Sequence, residues 1–268
     1  MSSGGRERLD LLLVAKGLFP SREKARAAVM TGEVRVNGHV VLKPGTRVEE
    51  GSRLEVVPAA PAFVSRGGFK LEKALREFNM DLTGKTMLDV GASTGGFSDC
   101  ALKRGAARVY AVDVGYGQLA WTLRQDPRVV NLERRNIRHL TREDLQHTRI
   151  HLALVDVSFI SLRLVFPVLR GLEVPEVLAL VKPQFEAGKG QVGRGGVVRD
   201  PEIHLSVLGQ VKAYAQGEGY SLHNLTYSPI KGPKGNIEFL ALFASSAPQA
   251  PPPAPEKIVA EAHESLKK

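Results

Sequence analysis

Apolar and polar positions along this chain follow two rhythms. Between residues 6 and 57 the apolar positions first recur at helical spacing and then at strand spacing. Residues 9–17 (LDLLLVAKG) predict a short helix closed by Gly17, and residues 22–31 a second helix capped by Ser21 and stopped by Gly32. Residues 33–36 and 39–42 predict strands flanking Asn37-Gly38, the strongest short hairpin signal, and a turn at Pro44-Gly45 leads to a strand at 53–57. Residues 58–64 open with two prolines among small residues, keep neither period and predict a linker. From 65 to 244 short buried apolar runs at 87–90, 108–113, 129–132, 152–156 and 177–182 alternate with helical patterns at 70–78, 97–104, 116–124 and 200–216. That alternation predicts an α/β domain on a mostly parallel sheet. Residues 220–227 and 236–244 predict an antiparallel pair that closes it, with Glu238 inside the last strand. Residues 245–268 start proline-rich and predict a flexible tail with at most a weak helix from 257.

The string MLDVGASTGGFS at 87–98 organises the larger domain. It predicts a buried strand, a glycine-rich turn and a helix start, the opening of a nucleotide-binding βαβ unit. The next strand ends in Asp113, where a carboxylate accepts hydrogen bonds from ribose hydroxyls. Gly91 to Gly96 does not follow the G-x-G-x-x-G order, and no Gly-Lys-Ser/Thr follows to make a P-loop. Asp89 two residues before Gly91, a small-residue loop and then Asp113 suit S-adenosylmethionine. A plain strand-to-helix turn is the other reading of the same residues. Asn136 and Ile137 follow the third strand, where such folds hold adenine.

Two charges, Asp156 and Lys182, close neighbouring buried strands at the edge where open α/β sheets place ligands. With Lys70 and Glu238 they make a constellation suited to hydroxyl methylation, since a ribose 2'-hydroxyl needs a positioned base. A lysine serves as base only if a second cation or burial disfavours its charge, a role this reading gives to Lys70 beside Lys182. Amino-group methylation calls for two prolines that Asp156-Val-Ser-Phe159 lacks, and Cys100 is misplaced for pyrimidine carbon methylation. The seven histidines show no metal-ligand spacing, so no metal is expected. Lys70 at a helix start opposes the dipole, which marks it for function, although an exposed, solvated lysine is the commoner explanation.

Composition adds a partner. Lys and Arg total 37 against 28 Asp and Glu, a net charge of +9, which suits a polyanion. Arg22, Lys24 and Arg26 on the second helix, with Arg35 and Lys43 near the hairpin, are candidates for phosphate contact, with a solvated surface as the alternative. The stretch 188–196 holds five glycines together with Lys189 and Arg194 and predicts a mobile substrate loop. A single cysteine fits a reducing cytoplasm, and the N-terminus has no apolar signal core.

Residues 9–17, Ser21, Arg22, Ala25 and the string GEVRVNG at 32–38 closely resemble the alpha-L RNA-binding domain. The strings SRGGFK (65–70), DVGASTGGF (89–97), DVGYGQL (113–119), DVSFIS (156–161), VKPQFE (181–186) and GQVG (190–193) closely resemble the TlyA family, labelled haemolysin A, with an FtsJ-like catalytic domain. The resemblance implies a Rossmann-like class I methyltransferase domain behind a small α+β RNA-binding domain. It implies a catalytic tetrad of Lys70, Asp156, Lys182 and Glu238, and cytidine 2'-hydroxyls of small- and large-subunit ribosomal RNA as substrate. It assigns Ser65, Asp89, Gly91, Ala92, Ser93, Gly95, Gly96, Phe97, Asp113, Asn136, Ile137 and Asp156 to S-adenosylmethionine, and adds Arg66 to the RNA-contacting cations. The haemolysin label raises a membrane-active protein as alternative, but no apolar insertion segment is visible. An RNA-binding protein without turnover is a further one.

Overall fold

The computed structural model describes residues 5–30, 32–57, 62–188 and 190–267. They fall into two units, residues 1–62 and residues 63–268. In the first unit, β1 (Arg6–Arg8), α1 (Leu9–Ala15), α2 (Arg22–Met30), β2 (Val34–Val36), β3 (His39–Val40), β4 (Arg47–Glu49) and β5 (Leu54–Val56) enclose Leu9, Leu12, Leu13, Ala25, Ala28, Val29, Val34 and Val48. The strand order β3-β2-β5 comes from the expected hairpin, whose turn residues Asn37 and Gly38 both have positive φ, as a two-residue primed turn requires. The β1–β4 ladder is not evident from pattern, because each strand has three residues and Val48 alone is fully buried. Thr31 and residues 58–61 of the expected linker lie outside the described residues.

The second unit begins at Phe63, two residues before the expected start. Phe63 packs edge-on against Phe69, and Val64 N donates to Asp99 Oδ2 at 2.8 Å. Its elements are α3 (Gly67–Glu77), β6 (Thr86–Val90), α4 (Gly96–Lys103), β7 (Arg108–Asp113), α5 (Trp121–Arg124), β8 (Val129–Glu133), β9 (Leu152–Val155), α6 (Phe166–Gly171), β10 (Glu176–Val181), α7 (Pro183–Glu186), α8 (Pro201–Gly217), β11 (Ser221–Tyr227), β12 (Phe239–Ala244) and α9 (Pro255–Ser265). One seven-stranded sheet runs β11-β12-β10-β9-β6-β7-β8; β6 to β10 are parallel, and β12 and β11 join antiparallel.

Strand periodicity sorts the core. Met87, Val109, Ala111, Leu152, Leu154, Leu178 and Leu180 face α3, α4 and α5, whereas Leu88, Val90, Tyr110, Val112, Ala153, Val155 and Val181 face α6, α8 and α9. Both faces are covered, which is why these strands read as unbroken apolar runs. The sequential order reverses between β6 and β9, so their carboxyl ends open a crevice at the switch point.

Several expectations are corrected. The helix expected at 116–124 is formed only by α5, because Gly117 sits at φ +74° and donates its N–H to Glu133. The helix carrying Lys70 starts three residues earlier, at Gly67, and buries that lysine. Glu238 precedes β12 by one residue. In the second half of the glycine-rich loop Gly193 bridges Val197, and the Asn236 amide donates to Gly196 O and accepts from Val198 N. The supposed flexible tail forms α9, with Ile258, Val259 and Ala262 buried against α8 and β11. Among the described residues no helix is long and apolar enough to cross a membrane.

Burying two branched side chains contributes about 1.5–3 kcal/mol each. Truncation after Ala254, or Val259→Asp in the intact chain, therefore lowers the thermal midpoint by several degrees in calorimetry; a midpoint unchanged in both would show that α9 does not dock.

Candidate active site

Two connected clefts open at the carboxyl ends of β6, β9 and β10. The first, about 440 Å³, is lined by Ser65, Arg66, Lys70, Asp89, residues 91–94, Gly96, Phe97, Asp156, Ser158, Lys182, residues 230–233 and Glu238. The second, about 640 Å³, runs along Val112, Asp113, Val114, Asn136, Ile137 and residues 156–161. Gly91, Ser93, Asp156 and Ser158 line both. The crevice has its shape because β6 and β9 end against each other. Gly91 has φ +82°, and a Cβ there would meet the Asp156 carbonyl oxygen at 2.6 Å, so glycine is demanded by both conformation and space.

The four candidate catalytic residues meet in the first cleft. Lys182 Nζ lies 2.7 Å from Asp156 Oδ1, and Lys70 Nζ lies 2.7 Å from Glu238 Oε2. Both lysines are buried, at 8% and 9% exposure for Lys70 and Lys182, and Glu238 is 1% exposed. Charges so placed persist only when paired, and breaking such a pair costs about 3–5 kcal/mol. Each lysine therefore has its own carboxylate, as two ion pairs in one cleft. Lys182 Nζ also donates to Ser158 Oγ at 2.8 Å, whereas its contact with Asp156 Oδ1 is an ion pair outside hydrogen-bond geometry.

The loop after β6 is held by carboxylates from the sheet. Ser98 donates its N–H and hydroxyl to Asp89 Oδ2 at 2.9 and 2.6 Å, while Asp89 Oδ1 is buried without a hydrogen-bond partner among the described residues. Burial, with Asp156 and Asp113 adding repulsion, pushes the Asp89 carboxyl up to about 7. Asp113 accepts from Ser93 N at 2.8 Å and Gly115 N at 2.7 Å, joining the glycine loop to the end of β7. Ser65, Ala92, Gly96 and Phe97 line the first cleft, and Asn136 and Ile137 the second. Gly95 does not line either cleft: at φ +95° a Cβ would meet Leu123 at 2.2 Å, so its role is packing under α5. Cys100 is buried and its thiol is pushed up to about 12, chiefly by burial, which suits a small core residue.

The candidate RNA contacts divide. Arg22 is committed to an ion pair at 2.9 Å with the buried Asp10, which Arg8 also holds, and these hydrogen bonds keep that carboxyl down at about 2. Along α2 the 100° step places Arg26 about 40° from Arg22 but Lys24 about 160° from Arg26, so the three do not share one face. Lys24, Arg26, Arg35 and Lys43 are exposed. Arg66 is exposed at the first cleft and donates to Lys231 O, Arg194 is exposed on its loop, and Lys189 lies outside the described residues.

Reading by residue type passed over Ser158 and Glu186. The Glu186 carboxylate accepts from Ser161 Oγ at 2.7 Å and Leu162 N at 2.8 Å, and burial pushes its pKa up. Both sit in strings already singled out, but a serine or a glutamate has no period that announces its partner.

Comparison with known proteins accords with this geometry. Residues 63–244 match the model of the FtsJ-like methyltransferases, and residues 7–54 that of the S4 domain. YqxC of Bacillus subtilis is 51% identical, covering 98% of this chain and 96% of its own length. The 16S/23S rRNA (cytidine-2'-O)-methyltransferase TlyA of Mycobacterium tuberculosis (strain H37Rv) is 46% identical over 91% of this chain and 92% of its own. A solved structure from Streptococcus thermophilus, named with the word hemolysin, superposes with a TM-score of 0.72 at 44% identity, covering 98% of both chains.

Because folding raises the Asp89 pKa from 3.8 to about 7, the folded chain holds a proton that the unfolded chain releases, so its stabilising contribution is complete below pH 4 and is lost as pH rises to 7. The loss is about 1.4 kcal/mol per pH unit across that window. Asp89→Asn therefore flattens the pH dependence of stability between pH 4 and 7 in urea titrations; an unchanged slope would place the Asp89 titration elsewhere.

Proposed function

The chain belongs to the FtsJ-like methyltransferase family, and on that premise we propose that it is an S-adenosylmethionine-dependent 2'-O-methyltransferase of ribosomal RNA, with cytidine ribose as the acceptor. The single observation that carries this reading is the tetrad: two buried lysines, each 2.7 Å from its own carboxylate, in one cleft at the sheet's switch point. A chain that kept the fold only to bind RNA would have no use for buried cations there.

The residues fit the cofactor. Asp89 offers a buried carboxylate oxygen without a partner, which suits a cationic amino group. Asp113 stands at the end of β7 for the ribose, and Asn136 and Ile137 line the second cleft for adenine. When bound, S-adenosylmethionine supplies a methyl carbon made electrophilic by its positive sulfonium. Lys182 Nζ, held by Asp156 and entering the step as the neutral amine after releasing its own proton to solvent, takes the proton of the ribose 2'-hydroxyl as that oxygen attacks. Lys70, held by Glu238, orients the same hydroxyl and balances charge at the oxygen. Asp156 keeps Lys182 in place before and after it gains the proton.

The S4 domain contributes affinity through phosphates. Lys24, Arg26, Arg35 and Lys43 are its exposed cations for this role, and Arg66 lines the cleft proposed to take the acceptor. A modifier of ribosomal RNA of this kind works in the cytoplasm.

Lys182→Ala lowers methyl incorporation into ribosomal subunits by at least a hundredfold, while the Kd for S-adenosylmethionine stays within a few-fold; full activity in that variant would remove Lys182 as base. Replacing Lys24, Arg26, Arg35 and Lys43 together by alanine weakens binding to ribosomal RNA and makes its dependence on salt shallower by about 0.7–0.9 log unit for each phosphate no longer neutralised. Unchanged affinity and slope would move the RNA surface elsewhere.

A further inference from the structure

A lysine that accepts a proton must aim its lone pair, and an ion pair alone does not aim it. The neutral amine has two hydrogens and a lone pair in three staggered positions. Attraction to the Asp156 carboxylate draws a hydrogen to that side, but the lone pair is then shared between the other two positions. A second acceptor removes that choice.

We propose that Ser158 is a positioning residue for the transfer step: its hydroxyl fixes one hydrogen of the Lys182 amine while the Asp156 charge draws the other, so that the remaining position faces the cleft where the acceptor hydroxyl must lie. Lys182 Nζ is 2.7 Å from Asp156 Oδ1 and 2.8 Å from Ser158 Oγ, and all three residues line the first cleft. Of the two, the Ser158 contact is the one with hydrogen-bond geometry. This rests on the reading of Lys182 as the base.

The surrounding loop is built to keep that hydroxyl in place. Phe159, next in the chain, has φ +62° but is 89% exposed, so the loop is fixed from the α7 side and not by burial of this ring. Its ring lies 4.9 Å from that of Phe185, and Glu186 accepts from Ser161 Oγ and Leu162 N. Phe185 and Glu186 belong to α7, whose N-cap is Lys182. The segment that bears Ser158 is thus clamped to the turn that bears the lysine, and their 2.8 Å contact is a consequence of the clamp. Ser158 itself is exposed to the cleft, so removal of its hydroxyl leaves the core intact.

The test is steady-state methylation of purified ribosomal subunits with radiolabelled S-adenosylmethionine, run from about pH 6 to 10 for the wild type, Ser158→Ala, Ser158→Thr and Lys182→Ala, a range that spans the titration of a lysine base. For Ser158→Ala the expected result is a fall in kcat of roughly tenfold with both KM values unchanged. The rising limb of kcat against pH moves to lower pH, because the charged amine has lost an acceptor. Ser158→Thr, which keeps the hydroxyl, restores both. If Ser158→Ala matches the wild type in kcat and pH profile, raises a KM with kcat unchanged, or is not rescued by threonine, the inference is overturned. Those outcomes leave the proposed function standing as long as Lys182→Ala is inactive; an active Lys182→Ala removes the base itself, whatever Ser158 does.

Discussion

Everything at the sheet edge depends on burying two ammonium groups without leaving either unpaired. Lys70 and Lys182 come from the first turn of a helix and from the end of a strand, and their carboxylates, Glu238 and Asp156, come from the approach to one strand and the end of another. An unpaired buried charge costs several kcal/mol, so each partner must arrive for the other to be tolerated. The fold meets that demand by ending β9 and β10 side by side and by returning β12 antiparallel against β10. The antiparallel strand, which breaks the parallel pattern, is what carries Glu238 back to the edge where Lys70 waits.

The same edge contains a carboxylate left in the opposite condition. Asp89 has one oxygen satisfied by Ser98 and one buried without a partner among the described residues, and its raised pKa expresses that cost. Stability is reduced at the site where a cationic group is proposed to bind, a common relation between strain and function. Gly91 makes this possible, since its missing side chain lets the end of β9 close tightly on the loop. In the N-terminal unit the logic is reversed: Asp10 is fully satisfied by Arg8 and Arg22, so a cation that looks available for phosphate is partly occupied in holding the fold.

Much of this was legible in the residues. Apolar runs located the five parallel strands to within a residue or so, because strands buried on both faces need nothing else to be recognised. The tetrad, too, was legible as residues, since lysine and aspartate at the ends of buried runs have no structural reason to be there. Failures came where the signal was weak or shared. Residues 116–120 carry helix-compatible side chains, yet glycines and a bond to Glu133 hold them out of a helix. Residues 255–265 looked like a flexible tail because a proline-rich spacer precedes them, and their three buried side chains have a core to join only when α8 and β11 are present.

What the sequence determined by itself was local and periodic: the hairpin at Asn37-Gly38, the alternation of strands and helices, the glycine loop, and the identity of the charged residues that had to be brought together. These follow from steric and hydrophobic rules acting over a few residues. Tertiary structure alone decided the finer contacts. That Asp89 keeps an oxygen unsatisfied, that Gly95 supports packing instead of lining a cleft, and that Ser158 reaches Lys182 are all matters of segments distant in the chain meeting in space. Distances of 2.7 and 2.8 Å between such segments are set by how strands register and loops are clamped, and no short-range pattern encodes that register.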